Sequence, residues 1–359
     1  MKIEEIDKNL RVETALGRDD IVFSDVKNEP FCVYGLYNYK NEPRFIRMPA
    51  AVAEAVSPEV AGLAYNTAGG RVRFSTDSPF IAIRCKMKHV SYYPDMPLSG
   101  SSGFDLYLHT EDGRDTFYRM FMPPHGMKDG YEALQQVSGD GKMHSYTIHF
   151  PLYNDVISLE IGLQRDAQVA PGADYRPVKP VVYYGSSITQ GGNVCRPGNT
   201  YENIISSRNN VDHINLGFSG AAKAEDAMIE YLAGLDAGIF VLDYDHNAPT
   251  VEHLQATHEK LFRAFRATHP DTPVVMVTRP NAHVNEDDIL RRNVVYETFM
   301  HAYTAGDRNV SFIDGYTFFE PGYHDLMTED GCHPSDSGHI CMARVIGREI
   351  DRILRGMTW

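Results

Sequence analysis

The sequence predicts two domains, an all-β sandwich followed by an α/β domain built on a parallel sheet. In residues 1–170, apolar and polar side chains alternate with a period of two, which is typical of strands that bury one face. From Pro180 onward, short apolar strands alternate with helical segments, and this order favours a parallel sheet with helices on both faces. The Pro- and Gly-containing stretch 165–179 is the predicted linker. We therefore place the domains at residues 1–170 and 171–359.

Three segments of the first domain carry the period-two pattern most clearly, namely 81–88, 104–109 and 157–164. The sequence Glu111-Asp112-Gly113 follows the second segment and supplies the turn residues of a β-hairpin. Only the stretch 50–56 has the periodicity of a short helix. The predominance of alternating segments predicts an antiparallel sandwich.

The second domain is predicted to contain five strands and several amphipathic helices. Apolar residues recur at intervals of three and four from Val251 to Phe265, which indicates a helix. The final helix is predicted to begin near Ser335 or Asp336, either of which can cap it, and to run through Leu354. The predicted strands are 181–184, 213–216, 239–244, 273–278 and 310–314.

Composition restricts the classes of partner. The 359 residues carry a formal net charge of −14 and show no clustered Lys/Arg surface, which argues against nucleic-acid binding. No apolar run approaches the ~18 residues that a membrane span requires. Residues 1–8 lack the apolar core of a signal peptide, so we expect a cytoplasmic protein. The expected partner is a small-molecule or oligosaccharide ester, and homo-oligomerisation is left open.

Five cysteines are scattered along the chain and never form a Cys-x-x-Cys pair. An odd number without that spacing argues against a disulfide scaffold and against a structural zinc site. We therefore predict reduced thiols, with no metal ion and no cofactor. Cys195 and Cys332 lie near the candidate site described next and are interpreted as inert, because a catalytic thiol needs its own base.

Four loops of the second domain carry polar residues and are predicted to face one crevice. In an open parallel sheet, the loops at the carboxyl ends of the strands lie along one edge, so residues far apart in sequence can converge there. The first loop follows a β-branched and aromatic strand and turns at Gly185 into Ser186 and Ser187. The four loops are 185–189, 215–220, 243–247 and 330–334.

These loops resemble the conserved blocks of the SGNH, or GDSL-type, hydrolases, over roughly residues 180–359. The resemblance implies a flavodoxin-like three-layer α/β/α fold in which Ser187 is the nucleophile. It further implies that Asp330 and His333 are the Asp-x-x-His pair of the family. Ser186 stands where the eponymous block has Asp, a position that is not the nucleophile.

The resemblance also implies an oxyanion hole made by Ser187, Gly220 and Asn247. Asn247 is followed by Ala248, where the commoner family block has Asp. In the first domain, 103–107 resembles the Gly-x-Asp-Leu-Tyr signature of the sandwich domain that precedes one branch of these hydrolases. Residues 45–49 also resemble that branch, which implies a jelly-roll-like first domain.

The chemistry of the residues supports the same interpretation. A serine hydroxyl is a poor nucleophile at neutral pH and needs a base, and an imidazole with an ordinary pKa near ~6.5 suits that task. His333 is the candidate base, and Asp330 can orient its ring. The alternatives are that Ser187 is a turn serine that caps the next helix, and that Asp330 and His333 form a polar turn before a helix. A phosphate-binding loop at Ser187 is argued against by the lack of the Gly-Lys-Ser/Thr and Gly-x-Gly-x-x-Gly patterns.

We expect a metal-independent serine esterase that hydrolyses a small acyl ester, such as an acetyl ester on a carbohydrate, through an acyl-enzyme. The alternatives are an acyltransferase that uses the same acyl-enzyme and a catalytically silent carbohydrate-binding protein. Three residues at the predicted catalytic edge are candidates for substrate binding: Arg196, Arg279 and His246. The alternative for the two arginines is that they brace loops, and the alternative for His246 is a solvated loop residue.

Overall fold

The computed structural model describes residues 16–280 and 284–357, so residues 1–8, on which the localisation prediction rests, lie outside the described part. The chain divides into two compact units. The N-terminal unit comprises the described residues up to Ile46, Tyr65–Asp174 and Arg196–Gly198. The C-terminal unit comprises Arg47–Ala64, Tyr175–Cys195 and the described residues from Asn199 onward.

The main boundary lies between Asp174 and Tyr175, whereas the prediction placed it after residue 170, and two further segments group with the other unit. Arg47–Ala64 group with the C-terminal unit, and Arg196–Gly198 group with the N-terminal unit. The grouping of Arg47–Ala64 with the C-terminal unit has a physical cause. Arg47 is 2% exposed and donates a hydrogen bond to the carbonyl oxygen of Gly217, in the same unit, at 2.6 Å.

Antiparallel strands dominate the N-terminal unit and form two sheets. One sheet has the order β1-β9-β4-β7, and the other has the order β10-β3-β8-β5-β6 with β2 paired to β3. The strands are β1 (Ile21–Asp25), β2 (Cys32–Tyr34), β3 (Arg71–Thr76), β4 (Phe80–Met87), β5 (Phe104–His109), β6 (Asp115–Phe121), β7 (Gly130–Gln136), β8 (His144–His149), β9 (Val156–Gln164) and β10 (Val169–Pro171).

The apolar side chains of both sheets share one core. Ile83 of β4 and Ile161 of β9 pack in the same cluster as Phe74 of β3 and Leu106 of β5, and all four are fully buried. Two sheets that bury a common core form a sandwich. The predicted β-sandwich is therefore confirmed, and the predicted hairpin is observed as the antiparallel pair β5–β6.

A five-stranded parallel sheet in the order β12-β11-β13-β14-β15 forms the centre of the C-terminal unit. Its strands are β11 (Val181–Gly185), β12 (His213–Gly217), β13 (Ile239–Asp243), β14 (Val274–Val277) and β15 (Val310–Ile313). The α-helices of the described chain are α1 (Ala50–Val56), α2 (Pro58–Leu63), α3 (Leu98–Ser101), α4 (Ser187–Gln190), α5 (Tyr201–Asn209), α6 (Asp226–Ala233), α7 (Val251–Thr268), α8 (Glu286–Thr304) and α9 (Asp336–Gly356).

Both faces of this sheet are covered. Tyr183 of β11 shares a buried cluster with Ile205 of α5 and Ile346 of α9. On the opposite face, Phe240 of β13 stacks on Phe265 of α7 with ring centroids 4.4 Å apart. The predicted three-layer α/β/α fold is confirmed.

The short helices show where periodicity is a weak signal. The stretch 50–56 is helical as predicted. The prediction of no other helix in residues 1–170 is wrong, because α2 and α3 also form there. Ser57 caps α2 by accepting a hydrogen bond from the N–H of Val60 at 3.1 Å, with Pro58 at the first position. The helix α3 has a single turn, which is too short to show a period. Within the described residues, no helix has both the length and the apolar character needed to cross a bilayer.

Candidate active site

The candidate nucleophile lies at the carboxyl end of β11, the strand that pairs with both β12 and β13. Gly185 ends the strand, and a Cβ there would clash with the side chain of Thr189 and the carbonyl oxygen of Asp243. The Oγ of Ser186 accepts a hydrogen bond from the N–H of Ile188 at 3.2 Å and caps α4. Ser187 is consequently the first residue of this helix, and it is 5% exposed.

A continuous chain of hydrogen bonds joins the three residues predicted to form the triad. Oγ of Ser187 lies 2.9 Å from Nε2 of His333. Nδ1 of His333 donates to Oδ2 of Asp330 at 2.7 Å. In the tautomer that carries its proton on Nδ1, Nε2 is an acceptor for the serine hydroxyl. This arrangement can remove a proton from Ser187 and return it later.

Asp330 is held by its own loop. Its Oδ1 accepts hydrogen bonds from the backbone N–H groups of Cys332 at 2.9 Å and His333 at 2.7 Å. Burial acts to raise the pKa of Asp330, but hydrogen bonds from the backbone and ring of His333 outweigh it and lower that pKa to about 2. The carboxylate is therefore charged at neutral pH and available to orient the imidazole.

Cys332 lies against two imidazoles. Its Sγ is 3.1 Å from Nε2 of His246, and the thiol also interacts with the ring of His333. Burial opposes the charged form, but hydrogen bonds with His246 and His333 lower the pKa of Cys332 to about 6. A hydrogen bond with Cys332 in turn raises the pKa of His333 to about 9, aided by Asp330 and opposed by burial. The interpretation of Cys332 as an inert thiol overlooked this contact, which joins residues 86 positions apart.

The loops that carry the predicted oxyanion residues are hydrogen-bonded to one another. The N–H of Phe218 donates to the carbonyl oxygen of Gly185 at 2.9 Å. Nδ2 of Asn247 donates one proton to the carbonyl oxygen of Phe218 at 2.8 Å and has a second proton for another acceptor. Gly220 is exposed, and its φ of 68° lies in the left-handed region that favours glycine.

Two buried side chains next to these loops, those of Arg47 and Asp243, were given no role in the sequence analysis. Arg47 donates to the carbonyl oxygen of Gly217, and its guanidinium lies 4.6 Å from the ring centroid of Phe218, so it fixes the start of the Gly220 loop. Asp243 accepts hydrogen bonds from Oγ1 of Thr189 at 3.2 Å and from the hydroxyl of Tyr201 at 3.1 Å. Burial raises the pKa of Asp243 well above its usual range. Two sequence features could have pointed to their burial: Arg47 lies in an apolar stretch, and Asp243 lies near the end of a predicted strand.

Among the three substrate-binding candidates, His246 contacts Cys332 of the Asp330–His333 loop. Arg196 groups with the N-terminal unit, where it donates to Oδ2 of Asp105 at 3.1 Å. Arg279 forms an ion pair with Asp288 at 3.1 Å. Both arginines thus have carboxylate partners, and substrate binding by any of the three residues stays a prediction.

The fold of the C-terminal unit is that of an SGNH-type α/β hydrolase. Residues 178–351 belong to the GDSL-like lipase/acylhydrolase family, and residues 21–169 belong to the Gly-x-Asp-Leu-Tyr family that forms the N-terminus of SGNH hydrolase-type esterases. The family predicted from the sequence is thereby confirmed for both parts of the chain. No curated protein is significantly similar to the sequence.

Three solved structures illustrate the range of similar proteins. A candidate GDSL-like lipase from Bacteroides ovatus is 27% identical over 93% of this chain and 98% of its own, with a TM-score of 0.83. A salicylyl acyltransferase from a tetracycline biosynthetic pathway is 18% identical over 94% and 98% of the two chains, with a TM-score of 0.77. An acetyl xylan esterase from the rumen bacterium Butyrivibrio proteoclasticus is 12% identical over 94% and 100%, with a TM-score of 0.57. The last two similarities show the fold alone.

Proposed function

We propose that the protein is a serine esterase that removes a small acyl group, specifically acetyl, from a carbohydrate. The observation that carries this proposal is the hydrogen-bond chain from Asp330 through His333 to Ser187. Membership in an acylhydrolase family supports ester cleavage as the reaction class. A cytoplasmic location stays a prediction.

In the first half of the reaction, Oγ of Ser187 attacks the ester carbonyl carbon while Nε2 of His333 takes its proton. Asp330 keeps the imidazole in the productive tautomer and stabilises the imidazolium that forms. The tetrahedral oxyanion accepts hydrogen bonds from the N–H groups of Ser187 and Gly220 and from the amide of Asn247. His333 then protonates the leaving alcohol oxygen, and the acyl group remains on Ser187.

In the second half, water replaces the alcohol. His333 removes a proton from the water, which attacks the acyl carbon, and the same oxyanion donors stabilise the second tetrahedral intermediate. Collapse returns the proton to Oγ of Ser187 and releases the carboxylic acid. The same groups act in both halves.

The carbohydrate part of the proposal draws on proteins of similar fold. An acetyl xylan esterase and a family two carbohydrate esterase studied in complex with cellohexaose cover more than nine-tenths of this chain. At identities of 12% and 14%, these two proteins only suggest which substrates to test on this chain.

Hydrolysis of 4-nitrophenyl acetate tests the reaction class. Ser187→Ala should abolish turnover, whereas Ser186→Ala should remain active and lose only the cap on α4, which is worth about 1 kcal/mol of stability. If the parent protein hydrolyses the ester no faster than Ser187→Ala, the chain is a silent binding protein and the esterase proposal fails.

Acetylated mono- and oligosaccharides test the substrate class, with release of acetate as the readout. We expect at least one acetylated sugar to be turned over with a higher kcat/KM than 4-nitrophenyl acetate. Activity on 4-nitrophenyl acetate together with inactivity across the sugar panel would reject the carbohydrate assignment and leave the esterase assignment intact.

The similarity in fold to a salicylyl acyltransferase supports a second candidate, acyl transfer to an alcohol. In that reaction the alcohol intercepts the acyl-enzyme in place of water. Adding competing alcohols during turnover separates the two: an acyltransferase forms the new ester in preference to the free acid, whereas an esterase forms mainly the acid.

A further inference from the structure

We propose that Cys332, His246 and His333, with Asp330, form a binding site for a soft divalent transition-metal ion, and that the bound ion inhibits the enzyme. Zn²⁺ is the ion chosen to test this proposal. A ligand atom from each of Asp330, Cys332 and His333 lies within 4.8 Å of the other two. Nε2 of His246 lies 3.1 Å from Sγ of Cys332 and adds a fourth candidate ligand.

The donor set selects the class of ion. A thiolate and imidazole nitrogens favour Zn²⁺ and similar ions, whereas Mg²⁺ and Ca²⁺ prefer sites made of oxygen ligands. Zn–S and Zn–N bonds of about 2.3 and 2.1 Å at a tetrahedral angle separate the sulfur and nitrogen by about 3.6 Å. The observed 3.1 Å between Cys332 and His246 requires a side-chain shift of only about half an ångström.

The site is also reachable by a dissolved ion. Asp330 is exposed, and Cys332, His333 and His246 are half-buried, so the cluster is open to solvent. The formal charge of −14 raises the local concentration of cations around the protein. This site differs from the structural zinc site that the absence of Cys-x-x-Cys argued against, because its ligands come from two loops.

Inhibition is expected because both ring nitrogens of His333 already take part in hydrogen bonds. Its Nε2 faces Ser187 and its Nδ1 donates to Asp330. Whichever ring nitrogen the ion takes, one of these two hydrogen bonds is lost, and the positive ion disfavours protonation of the ring. His333 can then no longer accept the serine proton.

The inhibitory consequence rests on the proposed esterase function, and Zn²⁺ titration of 4-nitrophenyl acetate hydrolysis by the full chain tests it. We expect Zn²⁺ to inhibit, EDTA to restore activity and Mg²⁺ to have no effect. Removing a residue that only hydrogen-bonds to a metal ligand typically lowers metal affinity about 10–100-fold. The thiolate of Cys332 is a proposed direct ligand, so Cys332→Ala should raise the half-inhibitory Zn²⁺ concentration at least about tenfold. Cys195→Ala, which removes a different exposed thiol, should behave like the parent. Equal inhibition of Cys332→Ala and the parent would overturn the proposal.

Binding is measured separately with Co²⁺ in a Ser187→Ala background, where esterase activity plays no part. A thiolate bound to Co²⁺ gives a charge-transfer absorption in the near ultraviolet. This band should appear in Ser187→Ala, vanish when Cys332→Ala is added and persist when Cys195→Ala is added, with circular dichroism confirming that each variant is folded. Absence of the band, or its survival in the Cys332→Ala double variant, would reject the metal site even if the esterase assignment is correct.

Discussion

Two of the Asp–His pairs in the described residues have nearly equal geometry but lie in very different surroundings. Nδ1 of His149 lies 2.9 Å from Asp105 in the N-terminal unit, and Nδ1 of His333 lies 2.7 Å from Asp330 in the C-terminal unit. The side chains of Asp105 and His149 are 0% and 2% exposed, whereas those of Asp330 and His333 are 43% and 25% exposed.

The remaining contacts of each pair distinguish a structural role from the proposed catalytic one. The ring of His149 packs edge-on against Tyr107 with centroids 4.7 Å apart, and Oδ2 of Asp105 accepts hydrogen bonds from Arg196 and from the N–H of Gly198. His333 instead has the Ser187 hydroxyl at 2.9 Å from Nε2. An Asp–His pair is a candidate general base only when the second ring nitrogen meets a group that can lose a proton.

The largest expected effect comes from removing each imidazole. His333→Ala should lower kcat on the order of 10⁶-fold, since the loss of a triad base alone costs about as much as the loss of the whole triad. His149→Gln should keep kcat within a few-fold and lower the unfolding temperature, because it disturbs a buried hydrogen bond. Steady-state kinetics with 4-nitrophenyl acetate and calorimetry measure both effects. A comparable loss of kcat in His149→Gln would erase the distinction between the pairs.

Removing each carboxylate charge should give opposite patterns. Asp330→Asn should lower kcat about 10⁴-fold through the wrong tautomer of His333. Its stability cost should stay within about 1 kcal/mol, because the side chain is 43% exposed. Asp105→Asn should instead reduce the free energy of unfolding by about 3–5 kcal/mol, since it leaves Arg196 without its buried partner. Urea unfolding together with kinetics below the unfolding transition compares the two. A stability loss in Asp330→Asn as large as in Asp105→Asn would contradict the contrast.

The same contrast shows what sequence reasoning could predict. The strands of the parallel sheet were predicted to within two residues, because a buried parallel strand is a continuous apolar run that ends in polar loop residues. The convergence of loops around Ser187 followed from that topology. The family motif distinguished Asp330–His333 from Asp105–His149, since spacing alone does not reveal which imidazole faces a hydroxyl.

Contacts that depend on distance between loops could not be predicted. The apolar neighbours of Arg47 suggest that this residue is buried, but nothing in that stretch indicates that its guanidinium contacts Gly217. The approach of His246 to Cys332 joins two loops whose convergence was predicted but whose separation was not. Topology predicts which loops share an edge, whereas side-chain packing decides which atoms touch.

Two buried or half-buried asparagine amides extend the comparison beyond the Asp–His pairs. Asn247→Ala removes a proposed oxyanion donor and should lower kcat about 10²–10³-fold with little change in KM. Asn154 has a similar amide that donates to Oγ of Ser102 at 2.7 Å inside the N-terminal unit. Asn154→Ala should lower stability and leave kcat within a few-fold. Equal kcat values for Asn247→Ala and the parent would remove Asn247 from the oxyanion hole.

The smallest expected effect is a shift in the pH dependence of kcat/KM, which Cys332 causes through the Asp330–His333 pair. The pKa of His333 is raised to about 9, first by its hydrogen bond with Cys332. Below a raised pKa the imidazole holds a proton and cannot act as the base, so kcat/KM of the parent should rise with pH through a midpoint near 9. Cys332→Ala removes the thiolate that favours the imidazolium, so its midpoint should move to lower pH, whereas Cys195→Ala should keep the midpoint of the parent. The profiles are recorded with EDTA present, and a midpoint that stays fixed or moves upward in Cys332→Ala would show that the thiolate does not set the protonation of His333.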